Sequence, residues 1–147
     1  MAQYARPNAD KNNPDGWTDQ GGGGVNIYQA IDEVAPNDAD YVRSPVGPSS
    51  DVYVATLSAV EDPLSSSGHS LRVRYAKSAA GGAQINLVVE LRQGYVNEGA
   101  QGTLIKQRTY TNIGENFVTD DYVLTAGEAD SITDYADLYL RCVANQV

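Results

Sequence analysis

The chain has 147 residues, a formal net charge of −9 at pH 7 and a pI near 4.3. This length predicts one domain that buries roughly two-thirds of its unfolded surface. Acidic residues outnumber basic ones, 19 to 10, and the sequence has no run of basic residues that would neutralise phosphates. We therefore expect no binding to nucleic acid. The sequence contains neither an apolar run of about 18 residues nor a basic segment followed by an apolar one, so we expect no membrane span and no export signal.

Residues 1–24 are rich in Asn, Asp, Gly and Pro and end in four consecutive glycines. Such a composition buries too little apolar area to fold alone, which predicts an extended N-terminal arm that a partner surface or a neighbouring subunit would order. Trp17, the only tryptophan, either anchors this arm or begins the folded domain. The domain itself is predicted to span residues 25–147.

Residues 25–34 have apolar side chains at a spacing that predicts one or two helical turns, ended by Pro36. Later segments alternate apolar and polar residues, which is typical of antiparallel strands with one buried and one wet face. A low-bulk turn at residues 79–82 predicts a hairpin, and residues 127–134 predict a turn or a helical turn. The strands are expected at residues 41–43, 51–58, 70–77, 83–93, 103–112, 122–125 and 136–144.

The strand over residues 51–58 shows the alternation in detail. Val52, Val54 and Thr56 share one face, and Tyr53, Ala55 and Leu57 share the other. With about eight strands joined by Gly, Pro, Asn and Ser turns, the sequence predicts an all-β fold, specifically an antiparallel β-sandwich of the jelly-roll type.

The sequence offers little for catalysis. His69 is the only histidine and lies next to Gly68. The sequence contains no G-x-S-x-G motif whose serine His69 could activate as a general base, so a surface imidazole is expected. Cys142 alternates with Leu138 and Leu140, which predicts a small core residue. One cysteine and one histidine cannot fill a tetrahedral zinc shell. We therefore expect no enzyme and no cofactor.

Two further groups of residues are candidates for ligand contact. Tyr53, Tyr95 and Tyr110 are predicted on polar faces or in loops, where they could contact sugar or protein, although strand propensity alone would also explain them. Asp38 and Asp40 are weak candidates for calcium, as is the group Asp130, Asp134 and Asp137. Neither group has a calcium-loop spacing, and Asp at turns usually caps the local backbone, so no metal is predicted.

Several segments spread along the chain carry a resemblance to a known family. They are Ala5-Arg6-Pro7-Asn8-Ala9-Asp10, Ala30-Ile31-Asp32-Glu33, Asn37-Asp38-Ala39-Asp40-Tyr41-Val42 with Ser44-Pro45, Gly68-His69 with Leu71-Arg72-Val73-Arg74-Tyr75, Leu91-Arg92-Gln93-Gly94, and Ile132-Thr133-Asp134-Tyr135-Ala136-Asp137-Leu138. Together these segments resemble a domain in structural proteins of tailed bacteriophages, a jelly-roll family described as head-decoration, minor structural or tail-associated. The resemblance implies a virion protein, assembled in the host cytoplasm.

Within that class, the first expectation is a capsid decoration or cement protein that binds the outer surface of the head and stabilises it. Tyr4, Arg6, Pro7 and Trp17 would contact the major capsid protein or another virion protein, and the chain would form a homo-oligomer, with a trimer favoured by shell symmetry. The alternative is a head fibre, spike or tail-associated protein whose loops at 61–68 and 94–102 bind host glycans. A carbohydrate-active enzyme with two facing carboxylates is a third, disfavoured interpretation.

Overall fold

The computed structural model describes residues 2–79 and 82–147. Within these residues the chain forms nine β-strands, one turn of 3-10 helix (Ile27–Ala30) and one short α-helix, α1 (Ala126–Asp130). The all-β prediction is confirmed. The strands are β1 (Pro7–Asn12), β2 (Thr18–Asp19), β3 (Val42–Arg43), β4 (Ser49–Leu57), β5 (Ser70–Tyr75), β6 (Ile85–Gln93), β7 (Thr103–Tyr110), β8 (Val118–Val123) and β9 (Leu138–Gln146).

Five strands form one antiparallel sheet in the order β1-β4-β9-β6-β7. The last strand of the chain, β9, lies at its centre between β4 and β6. Two antiparallel ribbons, β2-β3 and β5-β8, complete the fold. The packing of the β5-β8 ribbon on the large sheet is sandwich-like, whereas a jelly-roll connectivity stays a prediction.

The predicted hairpin between β5 and β6 is wrong. Residues 80 and 81 of its turn lie outside the described residues, but the strands on either side belong to different sheets. β5 pairs with β8, while β6 pairs with β7 and β9. The reason lies in the packing: Leu71 and Val73 of β5 join the same apolar cluster as Leu91 of β6, so β5 lies across the sheet face.

The N-terminal segment also differs from the expectation of an arm ordered by a partner. Residues Pro7–Asn12 form edge strand β1 on β4, with Pro7 opposite Leu57. The chain before β1 is bound as well, because the Ser58 N–H donates to the Arg6 carbonyl at 2.7 Å. A sheet edge satisfies backbone groups without requiring apolar side chains, so a polar segment can dock there. Residues 6–12 are therefore held by their own chain, and contact with a neighbouring molecule stays a prediction.

The inner face of the large sheet carries most of the core. Tyr53, Ala55 and Leu57 of β4 share one face, as their alternation predicts, and this face is the inner one, since all three are buried. The N-terminal segment covers one part of the face through Trp17 and Ile27. The other part is covered by apolar side chains of the β5-β8 ribbon and the residues that follow it, namely Leu71, Leu124 and Ile132.

The outer face of β4 is buried too, unlike the wet face that the alternation predicted. Val52 and Val54 pack beneath Tyr95, which reaches back from the loop after β6. Beside them lies a charged network in which Arg141 donates to Glu90 at 3.1 Å and to Glu98 at 2.6 Å. This network fixes residues 95–101 against the sheet, so the loop acts as the cover of the outer face.

Helix α1 begins with a complete capping box. Thr125 accepts a hydrogen bond from the Glu128 N–H, and the Glu128 carboxylate accepts one from the Thr125 N–H at 2.9 Å. The same carboxylate accepts from Lys106 Nζ at 2.8 Å and from the Tyr122 hydroxyl at 3.0 Å. The Lys106 ammonium and the Thr125 N–H, followed by the Tyr122 hydroxyl, favour the ionised form and lower the pKa of Glu128 to about 2.

The lowered pKa predicts acid sensitivity at this helix. Glu128 contributes stability in full above its unfolded pKa of 4.5, and this contribution fades as the pH falls towards about 2. We expect Glu128→Gln to lower the melting temperature at pH 7, and the gap to the parent chain to narrow progressively between pH 4.5 and pH 2. Thermal unfolding followed by circular dichroism across this range measures the gap. A gap that stays constant down to pH 2 would contradict the assignment.

Candidate functional site: a groove beside the N-terminal strand

Two of the predicted partner-binding residues, Arg6 and Pro7, meet in a groove beside β1. The groove has a volume of about 250 Å³. Its lining side chains come from β1 with the residue before it, from the 3-10 helix region, and from the end of β4. We call this cavity the N-terminal groove; its residues are Arg6, Pro7, Asn8, Tyr28, Asp32 and Ser58.

Asp10 of β1 positions the helical wall of the groove. Its Oδ1 accepts from the Tyr28 N–H at 2.9 Å and its Oδ2 from the Ile27 N–H at 3.0 Å. Asn26, the residue before the helix, has a φ of 54° and makes no side-chain cap. Since the first N–H groups of a helix need an acceptor, Asp10 caps this helix from another strand. The same carboxylate also accepts from the buried Tyr53 hydroxyl at 2.9 Å.

Arg6 links the two walls of the groove. Its guanidinium donates to the Asp32 carbonyl at 2.9 Å, and its backbone N–H donates to Ser58 Oγ at 3.0 Å. Tyr4 lies two residues before Arg6 and is 54% exposed, while the Tyr4 carbonyl accepts from Ser58 Oγ at 3.4 Å. The groove therefore has a fixed backbone frame, and an exposed tyrosine lies two residues before its arginine in the chain.

Trp17 is not part of this surface. It is only 5% exposed and stacks on Tyr53 with ring centroids 6.0 Å apart. The Asn13 side chain accepts from the Trp17 N–H and donates to the Trp17 carbonyl, each at 2.8 Å. Trp17 therefore fixes the N-terminal segment onto the inner core. The prediction that it binds a partner is wrong, because almost all of its apolar surface is buried inside the domain.

The three tyrosines predicted to contact glycans are buried. Tyr53, Tyr95 and Tyr110 are 0%, 1% and 8% exposed, so none presents a ring to a ligand. Each hydroxyl donates to a carboxylate, and burial is the main reason that the pKa of each phenol is raised. The partners are Asp10 for Tyr53, Glu98 for Tyr95 and Asp120 for Tyr110. The prediction is wrong because a tyrosine whose hydroxyl is paired can be buried as readily as phenylalanine.

The weak calcium candidates do not converge on a common point. Asp38 forms an ion pair with Arg74, whose hydrogen bond lowers the pKa of the carboxyl. Asp40 accepts instead from Gln20 at 2.9 Å and from Asn37 at 2.7 Å. In the described part of the chain, no three acidic, cysteine or histidine side chains lie close enough together to hold a metal ion.

Residues 2–79 and 82–147 contain no helix long and apolar enough to cross a membrane.

Sequence reasoning missed four of the groove residues, Asn8, Tyr28, Asp32 and Ser58. They lie on three separate segments, and pairing of β1 with β4 is what brings them together. β1 has the sequence PNADKN, which has no β-branched or aromatic residue and no apolar alternation. The only sequence signal for the groove is Asp10, because an acidic residue can cap a helix that lies elsewhere in the chain.

A scan against protein-family models finds no match, and comparisons with the curated proteins and with the solved structures match nothing either. The groove must therefore be interpreted from its own chemistry.

The role of Asp10 predicts a specific loss of stability. In Asp10→Asn one of the two acceptor oxygens becomes an amide donor that faces an N–H or hydroxyl donor. Leaving a buried donor unpaired costs about 1–3 kcal/mol. At about 2–4 °C per kcal/mol for a chain of this size, we expect the melting temperature to fall by about 2–12 °C. Thermal unfolding followed by Trp17 fluorescence reports the effect.

Asp121→Asn is the matched control for this variant. Asp121 pairs with Arg72 at 2.7 Å, but both side chains are about half exposed, at 49% and 51%. An exposed pair of this kind contributes about 0–1 kcal/mol. Equal melting temperatures for Asp10→Asn and Asp121→Asn would show that Asp10 does not hold the groove together.

Proposed function

We propose that this chain is a structural protein of a tailed-phage virion, a decoration protein of the jelly-roll family that binds the outer surface of the head through its N-terminal groove. One observation carries the proposal. The segment Ala5-Arg6-Pro7-Asn8-Ala9-Asp10, which resembles the phage family, is the segment that lines the groove and caps its helical wall. The resembling residues thus coincide with the candidate binding surface.

The chemistry of the groove suits a protein partner. Arginine and tyrosine are enriched at protein interfaces, because a guanidinium and an aromatic ring combine a large contact area with hydrogen bonding. Here Arg6 is held across the groove, and Tyr4, two residues earlier in the chain, is exposed. Since β1 and the helix are already ordered by Asp10, docking would require little further ordering and so lose little entropy.

The partner in this proposal is the major capsid protein. A protein that binds the assembled shell and not its free subunits stabilises the shell by mass action. Shell proteins are arranged by symmetry, so copies of this chain would sit as homo-trimers on local threefold positions.

A double variant at the groove arginine and the exposed tyrosine that precedes it tests the proposal. Tyr4→Ser combined with Arg6→Ala removes the exposed ring and the guanidinium, while the backbone bonds between Arg6 and Ser58 remain. Removing central aromatic and arginine contacts commonly costs 2 kcal/mol or more, so we expect at least about a tenfold weaker association with heads. The measurement is co-sedimentation of purified chain with heads from a phage that lacks its gene.

Val46→Ser is the control, since Val46 is fully exposed and lies outside the groove. We expect it to co-sediment like the parent chain, and heads loaded with either protein to withstand higher temperatures than bare heads. If bare heads resist heat and osmotic shock as well as loaded heads, the decoration role is wrong. If purified virions lack the protein by mass spectrometry, the virion role is wrong altogether.

A further inference from the structure

A second cavity lies where the loop at residues 61–68 meets α1 and the segment after it. Its volume is about 280 Å³, near the lower end of the range for small-ligand pockets. The loop supplies one set of lining residues, and the segment 129–135 supplies the other. We call this cavity the loop cleft; it is lined by Asp62, Leu64, Ser65, Ser66, Ala129, Asp130, Ile132 and Tyr135.

The polar groups of the loop cleft come from separate segments. Asp62 uses Oδ1 to accept from the Leu64 N–H at 2.8 Å, which leaves its other oxygen for a ligand. Asp130 is exposed, and its carboxylate has no hydrogen-bond partner among the described residues. Ser65 shares a hydrogen bond with Ser67 at 3.0 Å, which orients one hydroxyl of the loop. The cleft thus offers carboxylate acceptors from the loop and from α1, and hydroxyl groups from the loop.

Tyr135 is held in place independently of any ligand. Its hydroxyl is 2.7 Å from His69 Nε2, and the two ring centroids are 5.8 Å apart. Its carbonyl accepts from the Val60 N–H at 3.3 Å, which ties the aromatic wall to the segment between β4 and the loop. An aromatic side chain fixed in this way provides a preformed surface on which an apolar ring face can pack at low entropic cost.

The geometry points to the loop cleft as a binding site for a neutral saccharide. A sugar ring presents hydroxyl groups at its edge, which suit the carboxylates and serines of the cleft. It presents C–H groups on its face, which suit the Tyr135 ring. The lining residues include no Lys or Arg, so the two carboxylates disfavour anionic sugars. A metal ion is disfavoured because the described residues hold no group of three ligands. This site is separate from the N-terminal groove and does not rest on virion attachment.

The test is a titration of the isotope-labelled full chain, followed by NMR chemical shifts. The probes are D-glucose, D-galactose, D-mannose and N-acetyl-D-glucosamine, with D-glucuronic acid as the anionic comparison and arginine amide as the cationic one. We expect at least one neutral sugar to shift the signals of Ser65, Ser66 and Tyr135 with a Kd on the order of millimolar. D-glucuronic acid should bind at least about tenfold more weakly than that sugar.

Variants assign the binding to the cleft. Asp130→Asn and Ser66→Ala should each weaken binding of the same sugar by at least about fivefold, since each removes a hydrogen-bonding group. Glu115→Gln removes one negative charge outside the cleft and should leave binding unchanged. The inference is overturned if no neutral sugar shifts these signals, if arginine amide alone does so, or if Glu115→Gln weakens binding as much as Asp130→Asn.

Discussion

The carboxylate of Asp10 is the contact on which the N-terminal third of the chain depends. Two backbone N–H groups of the 3-10 helix and the hydroxyl of Tyr53 converge on its two oxygens at 2.9–3.0 Å. Tyr53 is fully buried in β4, so one side chain on an edge strand connects the sheet interior to the helix outside it. Without this acceptor, three donors would lie unpaired in a part-buried environment, which is costly. The position of Tyr28, and with it the shape of the N-terminal groove, follows from Asp10.

The outer face of the sheet is closed by charge as well as by apolar packing. Glu90 is only 5% exposed, and a carboxylate this deep requires compensation, which Arg92 supplies at 2.7 Å and Arg141 at 3.1 Å. Arg141 also donates to Glu98, and this hydrogen bond lowers the pKa of the Glu98 carboxyl. Glu98 in turn accepts from the Tyr95 hydroxyl at 2.7 Å. The chain thus covers this face with a nine-residue loop instead of a second sheet. Specific ion pairs hold the loop in a single arrangement.

The sequence predicted those strands and helical turns whose apolar pattern is visible within the segment itself. The apolar rows of β4 and β6 and the helical turn near Ile27 were found from periodicity alone. β1 was missed because its stability comes from pairing with β4, and nothing in PNADKN signals an edge strand. The buried tyrosines were misplaced for a related reason: the carboxylates that satisfy Tyr53 and Tyr110 are 43 and 10 residues away in the chain. The groove could not be predicted because it exists only after such distant partners meet.

The two candidate cavities share a short stretch of chain after β4. Ser58 lines the N-terminal groove, and Asp62 lines the loop cleft. Between them, Glu61 is joined to Gln3 in both directions, by an N–H that donates to the Gln3 side chain at 2.8 Å and a carbonyl that accepts from it at 3.1 Å. The first residues of the chain therefore brace the base of the loop that forms the cleft. A partner that displaced them from β4 would move Glu61 and its neighbour Asp62, whereas a partner that docks on the groove as it stands would leave the cleft intact. Because Arg6 and Ser58 are already bonded through their backbones, the second mode of docking breaks fewer hydrogen bonds and is the one that the fold favours.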